Sequence, residues 1–412
     1  MSIEALVEVS RFYGSNPDYV IAGGGNTSFK DDETLYIKGS GMALADAVPE
    51  AFVRMDRKAL AAIWEKSYPA ESAERERAVL ADLLAARMAG EEQKRPSVET
   101  MLHDLLPNSF VVHLHPALVN GMTCSNDGET AMKEIFPGDV IWIPSTNPGY
   151  VLSQKVNEAM HEHHAKHGRS PGMIFLQNHG IFVGGHKVEA IKKIYQEVIS
   201  RLENIIKRRP DFSEETRETF SKFPLGTFSE FPQITTGEFP MNAPGEFASI
   251  LAEFSSGGSG GGCAAFLRNT EIANLVKDRS SFAPVSSAFT PDHIVYSGSD
   301  PLFIETQMFI ETKTEAGGRK AALQEAALRE AWDRHLEKTG RLPKIAAIQG
   351  LGVFGLGASE KTANLALELF RDAVRVAVYS GSFGGPRFMD QDQIDFINNW
   401  EVEAFRSKIA AK

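Results

Sequence analysis

Three observations in the 412-residue sequence predict an α/β protein of two units. Short apolar runs closed by glycine or proline alternate with longer amphipathic stretches, the pattern of strands and helices packed in layers. A segment rich in proline, threonine, serine and glutamate, 211–245, divides the chain into units at 1–210 and 246–412 and has the composition of an irregular linker. Finally, FLQNHGIF at 175–182 aligns without gaps with AIQGLGVF at 347–354, and DVIWIPS at 139–145 parallels DHIVYSG at 292–298. On this pattern the second unit is a diverged partial duplicate of the first, with His179 corresponding to Leu351; chance similarity of short strand-glycine-strand segments is the alternative.

The elements follow in order. A helix runs to about Gly14, and YVIAGGGNTSF reads as a strand entering a glycine loop, as does TLYIKGSG, which ends in Gly39, Ser40 and Gly41. Residues 71–90 are helical by composition; Pro96 then opens a helix with Ser97 near its N-cap and Glu99 in its first turn. The strand FVVHLHP follows, then the strand DVIWIP, the helix VLSQKVNEAMHEHHAKH, the strand MIFLQNHGIFVGG and a helix over 187–207. The glycine-rich run 255–262 has a linker's composition, yet flanking elements make a loop inside the second unit equally consistent. After it come the strands CAAFL and DHIVYS, a helix over 316–338, the strands KIAAIQ and GVFGL, and two closing helices.

Lysine plus arginine against aspartate plus glutamate is 43 against 54, a net charge of −11, which gives nucleic acid and anionic membrane surfaces no general attraction. No run reaches the ~20 apolar residues of a membrane span, and the start of the chain has no export-signal pattern. Cys124 and Cys263 permit at most one disulfide, so a reducing, cytoplasmic compartment is expected.

His113 and His115 sit at i, i+2 on an apolar strand, which projects both imidazoles from one face, close enough to share a metal ion. Either histidine alone is accounted for by a core or surface position. His179 meets Gly180 at a strand end, where a ring can turn into a cleft, and Glu99 heads the helix leading into the His113 strand. Three imidazoles and a carboxylate suit zinc, with the carboxylate also able to accept a proton; for Glu99 alone, the helix dipole is the plainer explanation.

The ordered set GGGNTS, KGSG, PSVE, HLHP and LQNHG, spanning about 1–210, resembles the class II aldolase/adducin family, with its fuculose- and rhamnulose-phosphate aldolases. The resemblance implies a three-layer domain with a mixed, largely antiparallel central sheet. It implies zinc held by His113, His115 and His179, with Glu99 as fourth ligand and catalytic base. Asn26, Thr27, Ser28, Ser40, Gly41 and Ser97 match the family's phosphate-binding loops. Lys38 could add a contact, although a solvent-facing lysine is the plainer reading. More distantly, the second unit is similar to the segment following the aldolase domain in long rhamnulose-phosphate aldolases fused to a short-chain dehydrogenase, ahead of the dehydrogenase itself. Two positions depart from the fuculose-type pattern: Val98 replaces a second serine, and Ser145 follows Pro144 where a proton-donating tyrosine is expected. Tyr150 is the candidate substitute, with a core or interface position as the alternative.

The function so implied is cleavage of a ketose 1-phosphate, a small-molecule sugar phosphate, to dihydroxyacetone phosphate and an aldehyde through a metal-held enediolate, in a homo-oligomer whose second domain takes a neighbouring subunit's place. A sugar-acid phosphate decarboxylase or dehydratase on the same zinc site and a non-catalytic adducin-like scaffold are the alternatives; Glu99 speaks against the family's epimerases. Two further patterns are set aside. His163 and His167 share a helical face but have Glu162 and Lys166 as neighbours. Gly350, Gly352 and Gly355 spell GxGxxG, but the following helix is expected to start near Ser359, too late for a dinucleotide site.

Overall fold

A computed structural model describes residues 2–221, 243–256, 261–306 and 317–402, together with residues 405, 406 and 409; side chains of 317–324 are outside the description. Strands β1 (Asn26–Lys30), β2 (Thr34–Lys38), β3 (Phe52–Asp56), β4 (Phe110–Leu114), β5 (Val140–Ile143), β6 (Met173–Leu176) and β7 (Gly180–Gly185) form one sheet, ordered β3-β2-β1-β4-β7-β6-β5. All its pairings are antiparallel except β5 with β6. Strands β8 (Thr216–Phe220), β9 (Cys263–Arg268), β10 (Leu302–Ile304), β11 (Ile345–Ile348) and β12 (Gly352–Gly357) form a second sheet, ordered β10-β11-β12-β9-β8, in which β10 with β11 is the parallel pair.

The second sheet therefore repeats the run β5-β6-β7-β4-β1 of the first with the same strand directions, and no counterpart of β2 and β3 occurs among the described residues. The repeat extends to backbone detail. Gln177 N–H donates to Ile143 O at the end of β5, and Gln349 N–H donates to Ile304 O at the end of β10. The next residues, Asn178 and Gly350, are both left-handed, with φ of 58° and 75°. His179 thus corresponds to Leu351. The registers His113 with Phe182 and Phe266 with Phe354 place Phe266 at the His113 position and Arg268 at that of His115. All three imidazole positions differ in the second sheet, and the Arg268 guanidinium there donates to Gly350 O and Leu351 O, helping to fasten the turn.

Period-two alternation assigns the faces. In β9, Cys263, Ala265 and Leu267 pack toward helix Glu360–Ser380, whereas Ala264 and Phe266 pack toward helix Ala243–Ser255 and Trp332. In β4, Phe110, Val112 and Leu114 face the core shared with Val374, Val376 and Tyr379 of the second domain. Val111 faces the other way, against Leu102 and Leu106. The domains meet closely where a Cβ on Gly121 would lie 2.3 Å from that of Tyr379. One apolar cluster thus runs through both domains, so they pack as one body.

Several sequence expectations need correction. DHIVYS is not a strand: Pro291–Ser297 is a helix whose N-cap Thr290 side chain accepts from His293 N–H. The counterpart of β5 is instead β10, and DVIWIPS therefore does not parallel DHIVYSG. MIFLQNHGIFVGG is two antiparallel strands around a turn. The expected linker contains an edge strand, β8, and residues 222–242 of it lie outside the described residues, as do 257–260 of the glycine-rich run. Helix Glu360–Ser380 opens with a Ser359 capping box, beyond the GxGxxG glycines, which occupy the β11–β12 turn and β12 itself. Cys124 and Cys263 are buried free thiols. Among the described residues no helix is long and apolar enough to cross a membrane.

Candidate metal centre

The face of β4 that carries Val111 also carries His113, and the short helix Thr100–Leu105 brings Glu99, its N-cap residue, to the same side. His115 follows one residue beyond the strand, and His179 stands in the β6–β7 turn. All are largely buried: His113 is 0%, Glu99 5% and His179 8% exposed. His113, His115 and His179 each offer a ring nitrogen, and these atoms lie within 4.8 Å of one another, the group of three able to hold a metal ion among the described residues. Glu99 Oε1 lies 3.5 Å from His113 Nε2 and 3.6 Å from His179 Nε2.

Hydrogen bonds behind the rings determine their tautomers. His113 Nδ1 is 3.0 Å from Ile181 O, and His115 Nδ1 is 2.6 Å from Asp292 Oδ2. A carbonyl and a carboxylate only accept, so both Nδ1 atoms carry the proton and both Nε2 atoms present lone pairs. Those two lone pairs face each other at 2.9 Å, a repulsion that a shared cation relieves, either a metal ion or a proton on one Nε2. Burial pushes the His113 pKa well below its usual value, with His115 beside it acting in the same direction. Burial likewise pushes His179 down to about 3, although Glu99 opposes the shift. Neutral rings are the metal-binding form.

Glu99 supplies the fourth corner. Its Oε2 accepts from Asn26 Nδ2, and its Oε1 is buried without a hydrogen-bond partner. Four donors around a zinc-sized ion at ~2.0–2.1 Å stand about 3.4 Å apart, close to the Glu99 separations above. The orphaned carboxylate oxygen and the facing lone pairs therefore fit a divalent cation. Phe182 stacks on the His113 ring at 3.9 Å and holds it in place.

The adjoining cleft is lined by Asn26, Lys38, Ser40, Gly41 and Ser97 of the first domain and by Pro291, Val402 and Arg406 of the second. Thr27 and Ser28 do not line it. Thr27 points to the opposite face of β1 and pairs with Ser10, and Ser28 pairs with His103 Nδ1 beneath the site. Lys38 is not solvent-facing: it is 2% exposed, and its ammonium donates to Gly23 O and Met42 O. Burial, reinforced by Arg406, lowers its pKa to about 7. Tyr150 does not reach the cleft within the chain; its ring packs against Tyr68 in the core, with centroids 4.9 Å apart. His163 and His167 lie 4.5 Å apart with their rings tilted by 53°, and neither belongs to the group of three.

Asp292 and Arg406 were missed by the sequence reading, and both reach the site from the second domain. The signal for Asp292 was present in Thr290-Pro291, a capping residue followed by proline at the first helical position, but Ile294, Val295 and Tyr296 suggested a strand.

Residues 4–203 match the family described as Class II Aldolase and Adducin N-terminal domain, and residues 263–406 match that described as Aldolase class II, second domain. The chain belongs to the class II aldolase and adducin family. A relative of this aldolase-family chain is the uncharacterized oxidoreductase YuxG of Bacillus subtilis strain 168, 23% identical over 431 residues, which cover 99% of this chain and 58% of the relative. The chain thus spans little more than half of that protein. Among solved structures, the N-terminal class II aldolase domain of a conserved Thermoplasma acidophilum protein is 28% identical, with a TM-score of 0.42, covering 50% of this chain and 93% of that one. L-fuculose-1-phosphate aldolase from Thermus thermophilus is 18% identical, with a TM-score of 0.31, covering 48% of this chain and 89% of the other.

Proposed function

We propose that the protein is a zinc-dependent aldolase that cleaves a ketose 1-phosphate to dihydroxyacetone phosphate and an aldehyde. The observation that carries this reading is the convergence of two facing imidazole lone pairs, a third imidazole and an orphaned carboxylate oxygen on one buried point. In it His113, His115 and His179 hold the ion, and Glu99 completes the set at rest. When bound, zinc supplies Lewis acidity to a substrate carbonyl and its neighbouring hydroxyl, which acidifies the adjacent C–H or O–H.

The chain's own residues handle the proton and the charge. Glu99 accepts the proton at Oε1, while the Asn26 amide holds Oε2 and fixes the plane of the carboxylate. Ser97 Oγ accepts from Glu99 N–H, which leaves its hydroxyl proton to donate to an anionic group in the cleft. Ser40, Gly41 and the buried Lys38 line the same wall. The cleft holds about 40 Å³, room for a few waters. Tyr150 packs on Tyr68 within this chain and serves as proton donor to the departing aldehyde in this proposal only across a subunit interface. A homo-oligomer, as the family resemblance implies, is part of the proposal.

The test is release of dihydroxyacetone phosphate from a panel of ketose 1-phosphates by the zinc-loaded protein and by Glu99→Gln. Cleavage that falls ~10²- to 10⁴-fold in the variant is expected for loss of a general base. A zinc-loaded protein that cleaves none of them, but decarboxylates or dehydrates a sugar-acid phosphate, replaces the aldolase reading with that one.

A further inference from the structure

Resting on the metal reading above, we propose that Asp292 of the second domain is a positioning residue for the metal ligand His115, so that metal binding in the first domain and docking of the second are linked. The two ring anchors differ in kind. His113 takes its backing from Ile181 O, within its own sheet. His115 takes it from a carboxylate 177 residues away in sequence, at 2.6 Å. A carboxylate behind a ligating histidine fixes its tautomer and orientation and raises its basicity.

Asp292 is held for this task. It is 6% exposed, and its second oxygen, Oδ1, accepts from Arg406 Nη2 at 2.6 Å. Its helix, Pro291–Ser297, is capped by Thr290 and anchored from behind by His293 Nε2, 3.1 Å from Asp372 Oδ2 in helix Glu360–Ser380. The opposing surface is cut to receive it: a Cβ on Gly24 would lie 2.4 Å from Asp292 Oδ2, and one on Gly23 would lie 2.9 Å from Tyr296 Oη. Two glycines of the GGG loop thus admit the second domain. A second contact reaches the other ligand-bearing turn, where Asn178, next to His179, donates through Nδ2 to Phe289 O at 3.0 Å and to Arg387 O at 2.8 Å. The segment 289–292 therefore touches His115 itself and, through Asn178, the turn that carries His179. By linkage, whatever factor docking adds to metal affinity, the metal adds to docking.

The experiment is a chelator-competition titration of zinc with the full chain and Asp292→Asn, alongside hydrogen exchange of helix 291–297 with and without zinc. Expected are zinc binding by the parent, roughly 10- to 100-fold weaker binding by the variant, and zinc-dependent protection of the helix in the parent that is reduced by the same factor in the variant. Cobalt-substituted parent and variant are expected to differ in their visible absorption, which a merely structural loss would not produce. If Asp292→Asn fails to fold, Gly24→Ala, which keeps the carboxylate but displaces it from His115, is expected to weaken zinc to a similar degree. Parent-like zinc affinity in the variant, or weaker affinity with unchanged zinc-dependent protection, overturns this inference and leaves the metal site standing. A parent that binds no zinc overturns both.

Discussion

Asn178 joins the left-handed backbone of the His179 turn to the second domain, and its replacement separates those two roles. Its φ is 58°, it is 2% exposed, and its amide donates to two second-domain carbonyls at 3.0 and 2.8 Å. Asn178→Gly keeps the left-handed turn, as Gly350 does at the equivalent place, but abandons both carbonyls. Each buried acceptor left unsatisfied costs about 1–3 kcal/mol. Removing the buried Asn178 Oδ1, itself without a hydrogen-bond partner, returns about 1 kcal/mol of that. Relief of αL strain and the added freedom of glycine in the unfolded chain offset each other to within about 1 kcal/mol. The expected loss is therefore about 1–5 kcal/mol. Asn178→Ala loses the same bonds and also carries the ~1–2 kcal/mol cost of a Cβ in the left-handed region. Urea unfolding followed by tryptophan fluorescence reads these values as midpoint shifts at constant slope. A glycine variant within about 0.5 kcal/mol of the parent would refute the amide's role in fastening the domains, and equal glycine and alanine variants would refute the backbone argument.

Lys38 sets a pH dependence. Its folded pKa, near 7 through burial and Arg406, lies below lysine's usual value of about 10.4, so the unfolded chain binds more protons across that window. Stability should rise with pH from about 7 toward 10, by up to ~1.4 kcal/mol per pH unit relative to Lys38→Met; parallel pH profiles of the two proteins would contradict this. Phe182→Leu removes the ring stacked at 3.9 Å on His113 while keeping most of the volume. It should cost under ~1.5 kcal/mol of stability yet weaken zinc several-fold in chelator competition. Arg268→Ala leaves Gly350 O and Leu351 O without their guanidinium; a loss of about 1–2 kcal/mol with zinc affinity unchanged is expected in thermal melts and zinc titration. Zinc should raise the melting temperature of the parent, because it binds only the folded site, and chelation should reverse the shift.

Periodicity and punctuation carried most of the fold. Apolar alternation located β2, β4, β5 and β9, and the matched segments around His179 and Leu351 anticipated a repeat that the strand order bears out, although the second matched pair was misplaced. Local preference failed where tertiary context decided the outcome. The β-branched and aromatic Ile294, Val295 and Tyr296 read as strand, but the Thr290 cap and packing of Pro291–Ser297 against helix Glu360–Ser380 make it helical. At the site, residue chemistry pointed to the imidazoles and Glu99, and the fold brings these four side chains together. Side-chain direction was less legible: Thr27 and Ser28 belong to the right motif, yet only Asn26 of the three enters the cleft. Lys38 looked exposed by type and is enclosed by the loops of Gly23 and Met42. Contributions from Asp292 and Arg406 were out of reach, since they depend on how two domains dock.

The metal centre is tested most directly by elemental analysis of protein purified and then equilibrated with zinc, for the parent beside His113→Ala and His179→Ala. The account predicts about one zinc per chain in the parent, as a single set of ligands requires, and substoichiometric zinc in both variants at equal folded fraction. A parent without zinc, or variants that retain it fully, would contradict the assignment of these histidines and the mechanism built on it.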